Sequence, residues 1–92
     1  MPRHRGKFDI NRIYPNPFNP STIIPFKLSE SGKVKMEVFD ISGRLVSVLT
    51  NQNYEIGNHS IQFNATNLAS GVYLIRSEIL GQITTQLVTL IK

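Results

Sequence analysis

The chain has no cysteine, no tryptophan and only two histidines among its 92 residues. Without a thiol there is no disulfide framework, no thiolate zinc site and no cysteine nucleophile. Missing disulfides do not exclude export, because a well-packed small sandwich holds without them. Imidazole chemistry is restricted to His4 and His59. The first lies in a basic leader, and the second has only Glu55 as a nearby carboxylate. His59 shares the alternation of Ile61 and Phe63 and reads as a strand histidine at a sandwich margin. The carboxylates are few and scattered, with no spacing suited to acid and base work. No calcium loop is present, since "NQNYEIGN" offers amides and a single Glu. The glycines sit singly at turns, so no phosphate-cradling loop is expected. A carbohydrate platform lacks its usual tryptophan, and Tyr54 and Tyr73 are explained by packing. No apolar run reaches the roughly 18 residues of a spanning helix. The expectation is a chain that is not an enzyme, holds no cofactor or metal and does not insert into a membrane.

The formal net charge of +4 raises the question of nucleic acid. Arg3, Arg5, Lys7 and Arg12 against Asp9 put +3 of it in the first twelve residues, which leaves the remainder nearly neutral. A basic arm of that kind can touch phosphate. "MPRHRGKF" reads more simply as a leader or linker remnant at 1–12, with a short edge strand allowed before Pro15, so no nucleic acid is expected. It lacks the basic-then-apolar order of a secretory signal. The length and the apolar share of 40% suit one domain, taken as 13–92. The triplets starting at Asn58 and Asn64 match glycosylation sequons formally, as Asn-rich turns do by chance.

One periodicity runs through the chain, and it is two. In "STIIPFKL", Ile24, Phe26 and Leu28 share a face, while Pro25, which cannot donate to a ladder, predicts an edge strand or a bulge. "KVKMEVF" alternates cleanly, with Val34, Met36 and Val38 inward and Lys33, Lys35 and Glu37 outward. "GRLVSVL", "NHSIQFN", "GVYLIRSEI" and "QITTQLVTLIK" follow, rich in β-branched and aromatic residues. Turn chemistry separates them: "SESG" at 29–32, "DISG" at 40–43, the longer polar "NQNYEIGN" and "NATNLASG", and a tight final hairpin at Gly81. In "DISG", Asp40 accepts backbone hydrogen bonds and Gly43 takes a positive φ. A lone sheet cannot cover its apolar face, so the fold expected is all-β, an immunoglobulin-like antiparallel sandwich of about seven strands.

"IYPNPFNPST" precedes the first long strand. Its prolines fix φ and push Tyr14 and the preceding asparagines toward extended backbone, which predicts a stiff, ordered segment. Tyr14 and Phe18 are expected to be buried against the end of the sandwich, and Asn16 or Asn19 to bond turn backbone.

"YPNPFNPST", then "VFDISGRLV", then "LASGVYLIR", then a last strand ending in Lys92 resembles the C-terminal sorting domain, type A, of the type IX secretion system. The order is kept from about Ile13 to Lys92. The same blocks are similar to the immunoglobulin-like domain of the flagellar hook-capping protein, a structural assembly module. The resemblance implies a non-catalytic address tag on a larger secreted enzyme or adhesin of Bacteroidetes-type bacteria. The outer-membrane type IX machinery recognises such a tag, and a sortase-like peptidase removes it as the cargo is attached at the cell surface. The motif residues implied are Tyr14, Pro15, Asn16, Pro17, Phe18 and Asn19 in the opening segment. Asp40, Gly43 and Arg44 match the central hairpin, and Ser70, Gly71, Tyr73, Gly81 and Lys92 the late strands. Family members often carry another basic residue midway along the last strand, where this chain has "TTQLVTL". An accessory carbohydrate- or protein-binding module is a further alternative. The residues also suggest a mobile C-terminal edge suited to capture by strand addition.

Overall fold

A computed structural model of the protein describes residues 7–92. Met1 to Gly6, half of the expected leader, lie outside the described residues. Seven strands follow: β1 (Phe8–Ile10), β2 (Ser21–Leu28), β3 (Gly32–Asp40), β4 (Leu45–Tyr54), β5 (Gly57–Asn64), β6 (Gly71–Ile79) and β7 (Gln82–Leu90). They form a three-stranded sheet, β1-β2-β5, against a four-stranded sheet, β4-β3-β6-β7. The strands within each sheet are antiparallel. This is the sandwich that the period-two pattern predicts.

The alternation places the core. Ile24, Phe26 and Leu28 of β2 and Phe63 of β5 face Val34, Met36, Val38, Ile75, Ile79, Val88 and Leu90 of the other sheet, and all are buried. Burial of each such side chain contributes about 1.5–3 kcal/mol relative to exposure. His59 stacks on Phe26 with ring centroids 5.3 Å apart and meets the edge of Tyr54 at 5.0 Å. Its Nε2 lies 2.7 Å from the Glu55 carbonyl oxygen, so it is a margin histidine held by rings and backbone.

Local detail goes beyond the sequence pattern in four places. β2 is the middle strand of its sheet, not an edge. Pro25 is tolerated there because its carbonyl accepts from Asn11 N–H at 3.0 Å, and a strand residue's nitrogen faces the same side as its carbonyl. That side is where pairing slips, since Ile10 opposes Phe26 but Tyr14 opposes Ile23. The missing donor falls in the irregularity, one of the sites open to a strand proline. The connection at 29–32 crosses from one sheet to the other.

Asn51 to Tyr54, expected in a long polar connection, extend β4 opposite Lys35 to Gly32. Their side chains are polar because Asn51, Gln52 and Asn53, on both faces of this end of an edge strand, are all exposed. Glu37 points outward as its parity requires, yet it is covered. Arg76 Nη1 lies 3.1 Å from one of its oxygens and Lys35 Nζ 3.6 Å from the other.

Two hairpins have the predicted chemistry. Residues 80 and 81 join β6 to β7 with φ of 52° and 86°, the doubly positive geometry of a two-residue hairpin turn. Glycine suits the second position, and Leu80 takes the first while resting partly buried against the core.

Candidate functional site

The opening motif is ordered and lies against the last strand. From β1 the chain follows β2 as far as Tyr14, whose N–H and C=O exchange hydrogen bonds with Ile23. It then leaves that sheet and pairs in parallel with the end of β7 at Phe18 and Leu90. Phe18 N–H donates to the Thr89 carbonyl at 2.9 Å, and Ile91 N–H donates to the Phe18 carbonyl at 2.9 Å. Asn16 extends this pairing with its side chain. Its Nδ2 donates to the Leu87 carbonyl at 3.1 Å, and its Oδ1 accepts from Thr89 N–H at 3.0 Å. A side-chain amide carries one donor and one acceptor group, as a peptide unit does, so Asn16 stands in for a strand residue here.

Phe18 is buried, as expected, with its ring 5.4 Å from that of Phe63. Tyr14 is not: it is 64% exposed, while Ile13 beside it is buried. Neighbouring side chains on extended backbone point to opposite faces, and Ile13 takes the inward position. Asn16 bonds strand backbone rather than the turn expected. Asn19 is exposed, and the carbonyl of Pro20 next to it accepts from Ala65 N–H. Thr22 was not singled out by sequence reasoning although it closes the motif. It is buried and donates its hydroxyl to the Pro15 carbonyl at 2.6 Å. The signal for it was parity, since Thr22 shares the face of Ile24.

The late-strand residues meet at the same end. Tyr73 at the start of β6 donates its hydroxyl to the Ala69 carbonyl at 2.6 Å, the tyrosine corner of immunoglobulin-like sandwiches. Lys92 N–H donates to Ser70 Oγ at 3.2 Å, and Lys92 Nζ donates to the Thr66 carbonyl at 2.6 Å. Gly71 opens β6 opposite Leu90. The C-terminal half of β7 is therefore anchored on both sides, which corrects the expectation of a mobile edge. Gly81 lies apart from this cluster, at the β6–β7 hairpin.

The central hairpin is a separate feature. Asp40 Oδ1 accepts from the Ser42 hydroxyl at 2.7 Å and from the Ser42 and Arg44 N–H groups, each at 3.0 Å. Arg44 Nε reaches Oδ2 at 3.1 Å. Gly43, at φ 91°, donates its N–H to the Asp40 carbonyl. The Ser42 hydroxyl first, and then the Arg44 N–H, hold the Asp40 pKa down at about 2 against an ordinary 3.8. A lowered carboxylate pKa stabilises the fold above its unfolded value and loses that contribution as pH falls through the folded one. The melting-temperature gap between the wild type and Asp40→Asn is therefore expected to be full above roughly pH 5 and to close toward about pH 2. Thermal unfolding across that range checks it.

What these features define is a small recognition module: a sandwich whose motif residues organise turns and bind the first segment to the last. The chain belongs to the secretion system C-terminal sorting domain family, whose model matches residues 12–91. The match falls on the first of the two resemblances carried by the motifs. Comparison with curated proteins finds no match. The domain is a C-terminal sorting signal for type IX secretion, which marks the protein bearing it for export to the cell surface or release across the outer membrane.

Proposed function

We propose that the export machinery reads this domain as a folded unit, at the end where the opening motif, the loop before β6 and the last residues meet. The observation that supports this is the convergence of motif blocks far apart in sequence. Asn16 and Phe18 bind Leu87 to Ile91, and Lys92 reaches Ser70 and Thr66. The functional unit is residues 13–92, with β1 as a short edge strand contributed by the segment before it. Its role is non-catalytic. The carboxylates support this reading, since Asp40 organises a turn and Glu37 and Glu30 pair with neighbouring cations. A sortase-like peptidase then separates the module from its cargo.

The test fuses residues 13–92 to a fluorescent reporter in a host with type IX machinery. Surface display is expected for the wild type. For Lys92→Glu, circular dichroism is expected to stay unchanged while display falls at least tenfold. Full display of a folded Lys92→Glu variant would overturn recognition at this end.

A further inference from the structure

On β5, Ser60, Gln62 and Asn64 share the outer face and are all exposed. Across the ladder Pro25 and Ile23 of β2, both half-buried, stand opposite Ser60 and Gln62. Tyr14 lengthens the second of these rungs. It exchanges two main-chain hydrogen bonds with Ile23, so Tyr14, Ile23 and Gln62 point to one side of the sheet. Two strand spacings, about 10 Å, separate the backbone of Tyr14 from that of Gln62. Tyr14 is 64% exposed. Among the described residues its hydroxyl has no hydrogen-bond partner, and neither have the Ser60 hydroxyl and the Gln62 amide. Asn64 commits its Oδ1 to Thr66, which leaves its amide N–H groups to donate. The β5 row carries no charge, whereas the outer face of the four-stranded sheet carries Lys35, Glu37, Arg76 and Glu78.

We infer that this face binds a neutral polysaccharide, with one sugar ring against Tyr14 and the chain running along β5. A sugar ring has a C–H face and a rim of hydroxyls. The face suits an aromatic ring and the apolar floor of Ile23 and Pro25, and a tyrosine offers that contact at little cost in side-chain freedom. Each hydroxyl of the rim both donates and accepts, and so does each carboxamide or hydroxyl of the β5 row. The strand holds those polar groups about 7 Å apart in a line, so they are in place before the ligand arrives. Charge decides between ligands. An uncharged row has nothing to neutralise a phosphate or a carboxylate. The charged residues within the strands of this sheet, Asp9 and Lys27, stand opposite each other near its other end. The tyrosine that the sequence pattern sends to the core is thus the one the fold leaves free for a ligand. The inference does not depend on which part of the domain the export machinery reads.

The test runs the 92-residue chain through native gels cast with a soluble β-glucan, a xylan or a galactomannan. Arg12 is exposed two residues before Tyr14, so alginate, a polyanion, is the comparison. Retardation by at least one neutral polysaccharide, unaffected by added salt, is expected. Tyr14→Ala should weaken it about tenfold, the worth of one good ring contact, with circular dichroism unchanged. Gln62→Ala should weaken it too, Tyr14→Phe should retain it, and Ile56→Ala, exposed on the β4–β5 connection, should leave it as it is. Unaltered migration in all three neutral gels overturns the inference. So does retardation by alginate alone that salt abolishes, which is attraction to the basic segment, or binding indifferent to Tyr14→Ala.

Discussion

Phe18→Ala is expected to destabilise the domain by about 3–5 kcal/mol, the cost of emptying a buried aromatic site. Phe18 is 2% exposed, packs on the Phe63 ring, and carries the backbone that pairs with β7. Small domains hold a net stability near the lower end of roughly 5–15 kcal/mol, so this one substitution consumes most of it. Urea unfolding followed by circular dichroism is expected to show the midpoint falling toward zero denaturant. A control at the neighbouring exposed residue, Tyr14→Ala, should change stability by less than about 1 kcal/mol. A Phe18→Ala midpoint within error of the wild type would show that the opening motif is not part of the cooperative unit.

Removal of residues 88–92 is expected to unfold the isolated domain. The deletion takes Val88 and Leu90 out of the core and removes the acceptor and donor groups that hold Phe18. It also releases Lys92 from the loop before β6. Two buried aliphatic side chains contribute about 3–6 kcal/mol together, before the hydrogen bonds are counted. The far-ultraviolet signal of a sheet should be lost at 25 °C. A deletion that abolishes export therefore does not by itself identify a recognised sequence, since loss of fold produces the same phenotype. The Lys92→Glu substitution separates the two, because its contacts are on the surface and the core is left intact. Truncated protein that retains a cooperative thermal transition would sink the expectation.

The strands were legible wherever one face is buried and the other wet. Ile24, Phe26 and Leu28, and likewise Val34, Met36 and Val38, reveal both their strand and their facing through alternation alone. The hairpin at Asp40 was legible because its side chain binds groups only two and four residues away. What could not be read are relations between segments distant in the chain. Pro25 reads as an edge or bulge residue from the local ladder, and the sequence alone does not choose between them. The slip beside it depends on a partner segment that approaches from before Tyr14. Polarity at Asn51 to Asn53 resembles a loop, because this end of the edge strand is exposed on both faces and shows no alternation. Asn16 likewise looks like a turn residue, and nothing local indicates that its amide will complete a ladder on β7. Tyr14 was misplaced because two adjacent large side chains compete for one inward position, and aromatic size favoured the wrong one.

The contacts of Asn16 span 71 and 73 positions of sequence. Closing a loop of that length costs entropy before any contact compensates for it, and topologies dominated by such contacts fold slowly. Until the last strand is in place, the inner face beside Phe18 stays open to water and the sheet has no final strand for the opening motif to hold. That end is built only when the last strand has met the opening motif. On the proposal that the machinery reads the folded end, competence as a signal comes only with completion of the whole sandwich, late and all at once.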